Sequence, residues 1–156
     1  MPLQSGSNKL LKAMRRRYDR NHYMDKVNLI KSLDPSACIG ADVIVGFPGE
    51  TDDDFLDTYN FIKDLDLGYL HVFSYSERDN TDAKSYQNSV PKTKRSERSK
   101  ILRNLSDRKR HLFQEQYINS TREVLFESIK NGYTFGHSDN YIRVKIPQSP
   151  ELINSI

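Results

Sequence analysis

The chain has 156 residues, a formal net charge of +3 and one cysteine, Cys38. Its mean hydropathy of -0.75 and the lack of an apolar run near the length of about 18 residues exclude a transmembrane helix, so we expect no membrane partner. A single cysteine excludes an internal disulfide framework, and residues 1–17 lack the apolar segment of a secretory signal. Both observations indicate a cytoplasmic protein.

The small net charge conceals three strongly charged segments. Basic residues dominate 9–26 and again 92–110, whereas acidic residues dominate 50–66 between them. Two basic helices beside an acidic one create an oriented field, which a polyanion such as nucleic acid would feel. The pattern therefore favours nucleic-acid contact over the alternative, in which each run of charge is only a solvated helix face.

The first part of the chain predicts the end of a strand followed by two helices. Residues 1–7 finish the strand and form a polar turn, Asn8 is a candidate cap of the first helix, and Asp19 of the second. The second helix ends at Asp34-Pro35. Helical spacing assigns to the core Leu10, Leu11 and Met14 of the first helix, and Tyr23, Val27 and Ile30 of the second.

The most informative segment is GADVIVGFPGET, residues 40–51. A nearly continuous apolar run predicts a strand over 37–46, covered on both faces, and Pro48-Gly49 then turns the chain. Thr51 heads an acidic helical start, with Asp54 reaching back as a weak capping box. The helix carries an apolar stripe of Phe55, Tyr59, Ile62 and Leu65. Together these features predict a βα unit of an α/β protein.

The next elements repeat the strand–helix order. Residues 69–76 predict a second buried strand, residues 77–85 a polar turn, and residues 93–117 a long helix. The helix positions predicted to face the core are Ile101, Leu102, Leu105, Leu112 and Phe113. Connections this short imply parallel strands, and in such folds ligands bind outside the carboxyl ends of the strands.

The character of the sequence changes near residue 120. Residues 122–127 alternate as a half-buried strand, and Asn131-Gly132 is a strong hairpin signal. Residues 133–136 and 141–146 predict two further short strands. The last part of the chain is therefore an all-β module with too few strands to close a barrel.

Enzyme classes with a recognisable sequence pattern are mostly excluded. The four histidines are scattered without ligand spacing, so we expect no metal site, and neither a Ser/His/Asp arrangement nor a P-loop is present. What remains is a set of polar strand ends, over residues 4–7, 46–50 and 74–78. They suit ribose hydroxyls or a carboxylate, and one arginine among 15–17 is a candidate bidentate partner for a carboxylate.

Three motifs follow one another along the chain: PLQSGSNKLLKAMRRRYDRNHY, IGADVIVGFPGETDDDF and YLHVFSYSERDNT. In this order they resemble the radical S-adenosylmethionine (SAM) methylthiotransferases, and VLFES with GYTFGHSDNYIRVKIP resembles the family's TRAM RNA-binding module. The resemblance is closest to the branch that modifies N6-threonylcarbamoyladenosine beside the tRNA anticodon. It implies a partial (β/α) radical SAM barrel with a connecting basic helix over residues 1–118, and an incomplete, OB-like TRAM module over 119–156.

The resemblance also implies which residues bind the cofactor and the RNA. The SAM contacts implied by matching position are Gln4, Ser5, Arg15, Arg16, Asp42, Gly46, Phe73 and Tyr75, with the choice of carboxylate partner between Arg15 and Arg16 left open. The expected contacts to the anticodon stem-loop of tRNA are Arg98, Arg103, Arg110, Tyr133, Phe135, Tyr141 and Arg143. Aromatic rings stack on unpaired bases and cations bind phosphate, although the same aromatic residues would also suit the core of a small barrel.

The chain departs from the family in ways that matter for activity. Family members carry an N-terminal domain and a three-cysteine motif for a [4Fe–4S] cluster, whereas this sequence has only Cys38. We therefore expect a fragment that supplies no cluster ligand, is inactive by itself and dimerises through uncovered barrel edges. The alternatives are the sister enzyme that modifies a ribosomal-protein aspartate and a non-catalytic RNA-binding module.

Overall fold

The computed structural model describes residues 1–77, 86 and 88–155. Its first part alternates strands and helices, in the order β1 (Pro2–Gln4), α1 (Asn8–Ala13), α2 (Arg20–Leu33), β2 (Gly40–Val45), α3 (Asp52–Asp64), β3 (Tyr69–Ser74) and α4 (Lys92–Glu115). The three strands form one parallel sheet in the order β1-β2-β3. The predicted α/β class and the parallel strands are thus confirmed.

The two faces of this sheet differ in what covers them. On β2, Ala41, Val43 and Val45 are fully buried in a core with residues of α2, α3 and α4. The neighbouring positions of β3 on the opposite face, His71 and Phe73, are exposed. Helices α2, α3 and α4 therefore pack on one face, and among the described residues the opposite face is the more open one. The prediction that β2 is covered on both faces is wrong, because its second face is only half-buried.

Helix starts follow the predicted capping chemistry at two of three places. Asp19 accepts a hydrogen bond from the backbone amide of His22, and Thr51 forms a full capping box with Asp54. Asn8 is not a cap, because the first helix begins at Asn8 itself after Ser7. The Asn8 side chain instead accepts a 2.9 Å hydrogen bond from the amide of Arg20, which links the starts of α1 and α2.

Helix α4 lies against β3, the last strand of the sheet. The Ser106 hydroxyl donates to the carbonyl of Leu70 and accepts from its amide, at 3.2 and 2.8 Å. These backbone groups point away from β2, so α4 covers an edge that would otherwise be unpaired. Among the predicted core positions Leu102, Leu105 and Phe113 are buried, whereas Ile101 and Leu112 are exposed and their prediction is wrong.

The last part of the chain is a three-stranded antiparallel sheet in the order β4 (Val124–Lys130), β5 (Tyr133–Ser138) and β6 (Arg143–Pro147). Asn131 and Gly132 both have positive φ, 52° and 77°, which is the conformation of a tight type I′ hairpin turn. The predicted turn over 77–85 lies outside the described residues except for Glu77. In the part of the chain that the structure describes, no helix has the length and apolarity needed to cross a membrane.

Candidate functional site

The turn after β2, Gly46–Glu50, is held from α4 by two buried arginines. The Glu50 carboxylate accepts 2.6 Å hydrogen bonds from the Gly46 amide and from Arg98 Nη1. Arg95 packs under Gly46, whose φ is +77°, so closely that a Cβ there would lie 2.3 Å from Arg95 Cγ. Glycine is therefore required at this position for its conformation and for the close contact with α4.

Glu50 and Arg98 form a buried ion pair whose side chains are 1% and 4% exposed. Burial raises the pKa of Glu50, and the Gly46 amide and Arg98 oppose that rise. Arg98 also donates a 2.8 Å bond to the exposed carboxylate of Asp52, and its guanidinium lies over the Phe55 ring. Arg98 therefore joins α4 to the turn and to the start of α3.

The loop after β1 is anchored to α3 by a second polar network. The fully buried Ser5 hydroxyl lies 3.0 Å from Thr58 Oγ1 and accepts a hydrogen bond from the Ser7 amide. Asp54 accepts bonds from the Ser7 hydroxyl at 2.9 Å and from Lys9 Nζ at 2.6 Å. The same carboxylate belongs to the capping box of α3, so one side chain ties together two adjacent strand-end loops.

We expect Asp54 to make the stability of the fold sensitive to acid. Burial raises the pKa of this carboxyl, but hydrogen bonds from Lys9, Thr51 and Ser7 outweigh it and lower the pKa from 3.8 to about 2. Its stabilisation is present above pH 3.8 and is lost as the pH falls towards 2. The free energy of unfolding should decrease by about 1–2 kcal/mol in that window, allowing for solvent screening. Asp34, Asp52 and Glu77 also have lowered pKa values, so urea unfolding should show a decrease that is larger by this amount in wild type than in Asp54→Asn.

A cavity of about 210 Å³ opens at the carboxyl ends of β2 and β3. Its residues are of two kinds, apolar or aromatic side chains and two guanidinium groups: Ala13, Met14, Arg15, Arg16, Ile44, Phe47, Tyr75 and Tyr86. The Phe47 ring meets the Tyr75 and Tyr86 rings edge to face, with centroids 5.5 and 6.0 Å away. Arg16 is oriented by a 3.0 Å hydrogen bond to the Gln4 side chain at the end of β1.

The residues expected to bind SAM are only partly brought together. Arg15, Arg16 and Tyr75 line the cavity, and Gln4 reaches it through Arg16. Asp42 and Phe73 lie on the open face of the sheet, with Phe73 55% exposed. Ser5 and Gly46 do not line the cavity: the Ser5 hydroxyl is bonded to Thr58 below the loop, and Gly46 is packed against Arg95.

The chemistry of this cavity fits one part of SAM. Aromatic walls suit an adenine ring, and guanidinium groups at the rim suit a carboxylate. The volume is below the range of about 300–1,000 Å³ usual for a whole small-molecule site, so it would take only part of the cofactor. An iron–sulfur cluster does not fit these residues. The sequence has one cysteine, and the described residues contain no group of three His, Cys, Asp or Glu side chains suited to a metal ion.

One face of the antiparallel sheet carries the aromatic residues and cations expected to contact RNA. Tyr133 and Phe135 of β5 lie on the same face as Arg143 and Lys145 of β6. Arg143 lies over the Phe135 ring at 4.8 Å and Lys145 over the Tyr133 ring at 4.8 Å. Tyr133 is 43% exposed and Phe135 is half-buried, so only the Tyr133 ring lies fully at the surface. Tyr141 is 78% exposed, in the turn before β6.

The three arginines of α4 that we expected to contact RNA have different environments. The expectation for Arg98 needs correction, because this side chain is buried and bonded to Glu50 and Asp52. Arg103 is exposed and lines a second cleft beside the end of β3. Arg110 is half exposed, forms a loose ion pair with Asp107 and lies near the Tyr69 ring.

Several residues that form the sites could not be singled out from the sequence. Phe47 and Glu50 lie in the GFPGE turn, which stands out as a segment, but as single residues they resemble ordinary turn positions. Tyr86 follows a stretch with no periodic pattern, so no local signal pointed to the cavity. Arg95 resembles every other cation of α4 in the sequence, and only the fold shows that it is buried.

Comparison with known proteins agrees with the resemblance seen in the motifs. Residues 1–62 match the radical SAM superfamily. The whole chain is 38% identical to a threonylcarbamoyladenosine tRNA methylthiotransferase of Bacillus subtilis and covers 36% of that protein. A second enzyme with this name, from Aquifex aeolicus, is 39% identical over 93% of the chain, which corresponds to 34% of its own length.

A relative with a different substrate in its name is equally similar. The tRNA-2-methylthio-N(6)-dimethylallyladenosine synthase of Nitratiruptor is 38% identical over 98% of the chain and 36% of its own length. Identity therefore does not separate the two kinds of tRNA enzyme, and the chain spans about a third of the length of either. By sequence, the chain is related to the radical SAM superfamily through residues 1–62 and to tRNA methylthiotransferases over its whole length.

Proposed function

We propose that this chain forms part of a radical SAM methylthiotransferase that acts on N6-threonylcarbamoyladenosine next to the anticodon of tRNA, in the cytoplasm. The observation that carries the proposal is the cavity with Arg15, Arg16 and three aromatic rings at the carboxyl ends of two parallel strands. In parallel α/β folds this edge is where ligands bind. The cavity lies within a chain whose relatives are named as tRNA methylthiotransferases.

In this proposal the chain binds and orients SAM. Arg16 would bind the cofactor's carboxylate, while Phe47, Tyr75 and Tyr86 would pack against the adenine and exclude water from it. When bound, SAM would supply the radical and methyl chemistry of the proposed reaction. Because the 156 residues include one cysteine, the cluster ligands are not among them, and these residues are proposed to be inactive alone.

The RNA partner would be held by the antiparallel sheet, which we propose is part of a TRAM module. Phe135 and Tyr133 would stack on unpaired bases, and the cations beside them would contact phosphate. The anticodon loop of tRNA offers unpaired bases of this kind. An RNA-binding module without catalysis would use the same sheet, so this feature supports tRNA contact but not the reaction.

Deletion of the gene that encodes this chain is expected to change one nucleoside of the cell's tRNA. Mass spectrometry of digested tRNA should show loss of the methylthio group from N6-threonylcarbamoyladenosine, with the unmodified nucleoside in its place. The gene's whole product should restore the modification, and the 156-residue chain should not.

Three other outcomes would contradict this assignment. Loss of the methylthio group from dimethylallyladenosine would assign the chain to the other tRNA enzyme. An unmodified aspartate in a ribosomal protein would assign it to the sister enzyme. Unchanged tRNA and ribosomal protein, with salt-dependent tRNA binding by the chain, would favour the RNA-binding module.

A further inference from the structure

A second cleft lies between the end of β3 and the first half of α4 and shares Tyr75 with the cavity already described. It has a volume of about 600 Å³. The strand side is formed by residues 74–77, and the helix side by a stripe of α4 residues at helical spacing: Lys92, Arg95, Ser96, Ser99, Lys100, Arg103 and Asn104. Apart from the Tyr75 ring, every side chain that lines the cleft is polar or charged.

The charges in this cleft do not balance. Glu77 is the one carboxylate among the described residues that line the cleft. It accepts two hydrogen bonds from Arg95, so this pair carries no net charge. Lys92, Lys100 and Arg103 are exposed, and none of them has an ion-pair or hydrogen-bond partner among the described residues. Three positive charges in one concave site attract an anion, and electrostatic focusing makes this attraction stronger than on a flat surface.

Two buried hydroxyl groups beside these cations also lack a partner. Ser99 is 5% exposed, and its Oγ makes no hydrogen bond to any described residue. The Tyr75 Oη atom is also buried and makes no hydrogen bond to any described residue. Both residues line the cleft. A buried polar group without a hydrogen bond is costly, so unpaired hydroxyls in a cleft indicate a ligand that can accept from them.

We propose that this cleft binds a phosphodiester group of the RNA backbone, with Lys100 and Arg103 as its cationic contacts and Ser99 as a hydroxyl donor. A phosphate has acceptor oxygens and negative charge, the two properties that the unpaired hydroxyls and cations complement. The polynucleotide is assigned as its source because this proposal rests on the proposed tRNA substrate. Among the described residues that line the cleft no aromatic ring is exposed, so the cleft positions the RNA backbone without reading the base sequence.

The test measures binding of an anticodon stem-loop RNA to the 156-residue chain by fluorescence anisotropy, over a series of salt concentrations. In the Lys100→Gln/Arg103→Gln variant the affinity should fall at least tenfold. The slope of log affinity against log salt should decrease by about 1 for each phosphate that the variant no longer neutralises. The matched control is Arg108→Gln, which makes the same change of charge per site on the same helix but outside the cleft. Its logarithm of affinity should decrease by less than half as much as that of the double variant.

The Ser99→Ala variant separates ligand binding from a purely structural role. Loss of a donor to phosphate should weaken binding severalfold without changing the salt slope, while the melting temperature stays unchanged or rises because an unpaired buried hydroxyl has been removed. The proposal that the cleft binds RNA would be overturned by two results together: an unchanged affinity of Ser99→Ala for RNA, and equal losses of affinity in the double variant and in Arg108→Gln. If inorganic phosphate or AMP competed fully with the RNA at equal concentration, a free-phosphate site would replace the proposed backbone site. If wild type did not bind RNA at all, the proposed function would fail first, independently of the cleft.

Discussion

Replacement of Arg98 by methionine is expected to lower the free energy of unfolding by about 3–5 kcal/mol at pH 7, the range found when one member of a buried ion pair is removed. Methionine keeps much of the side chain's length but leaves Glu50, with only 1% of its side chain exposed, without a cation. The Gly46 amide alone would then hold the carboxylate. Urea unfolding of the two proteins at pH 7 measures the difference.

The same pair gives a pH dependence with a definite sign. Burial raises the pKa of Glu50 and Arg98 opposes the rise, so this pKa should be higher still in the Arg98→Met variant. The benefit of Arg98 is complete only while Glu50 is ionised. The difference in stability between wild type and variant should therefore decrease as the pH falls through the raised pKa of Glu50.

Two further variants form the control for the ion pair. In a Glu50→Gln background, Arg98→Met should cost clearly less than in wild type, because no buried carboxylate is left unpaired. Asp52→Asn removes the other carboxylate that Arg98 contacts, but this side chain is 70% exposed, so its effect should be much smaller. Additive effects of Glu50→Gln and Arg98→Met would show that the two residues are not energetically coupled.

What could be predicted from the sequence is what depends on local interactions. The capping box of Thr51 and Asp54, the Asp19 cap and the Asn131-Gly132 turn were each predicted within a few residues, and the structure confirms them. Each uses hydrogen bonds or φ preferences of residues less than five positions apart. The parallel order of the strands also followed, because short strand–helix–strand connections leave little choice.

The candidate sites could be predicted only in outline, because they join residues distant in sequence. The sequence predicts a ligand site at the carboxyl ends of the strands. The cavity found there, however, forms only because α1, β2 and Tyr86 come together in the fold. Arg95, Arg98 and Arg103 are alike in sequence, but their positions around α4 bury the first two and expose the third. The spacing of apolar residues predicts helix α4, but whether each of its basic side chains is buried or exposed depends on tertiary packing.

Replacement of Arg16 by glutamine is expected to weaken binding of SAM by about 10- to 100-fold, the cost of losing a hydrogen bond between charged groups of about 1.5–3 kcal/mol. Arg15 and Arg16 both line the cavity, and Gln4 accepts a 3.0 Å hydrogen bond from Arg16. A guanidinium already oriented loses less entropy when it binds a carboxylate. We therefore expect Arg16, which Gln4 already orients, to bind the carboxylate of SAM. Isothermal titration of the 156-residue chain with SAM measures the binding.

The control for this prediction is Arg17→Gln, which makes the same change in charge at a neighbouring exposed position that does not line the cavity. The ligand provides a second control, since adenosine has no carboxylate and its affinity should be the same for wild type and Arg16→Gln. A loss limited to SAM assigns Arg16 to the carboxylate. Equal losses for both ligands would mean that Arg16 only supports the cavity wall through Gln4. Because the cavity suits only part of the cofactor, adenosine should retain measurable affinity if the aromatic rings bind the adenine.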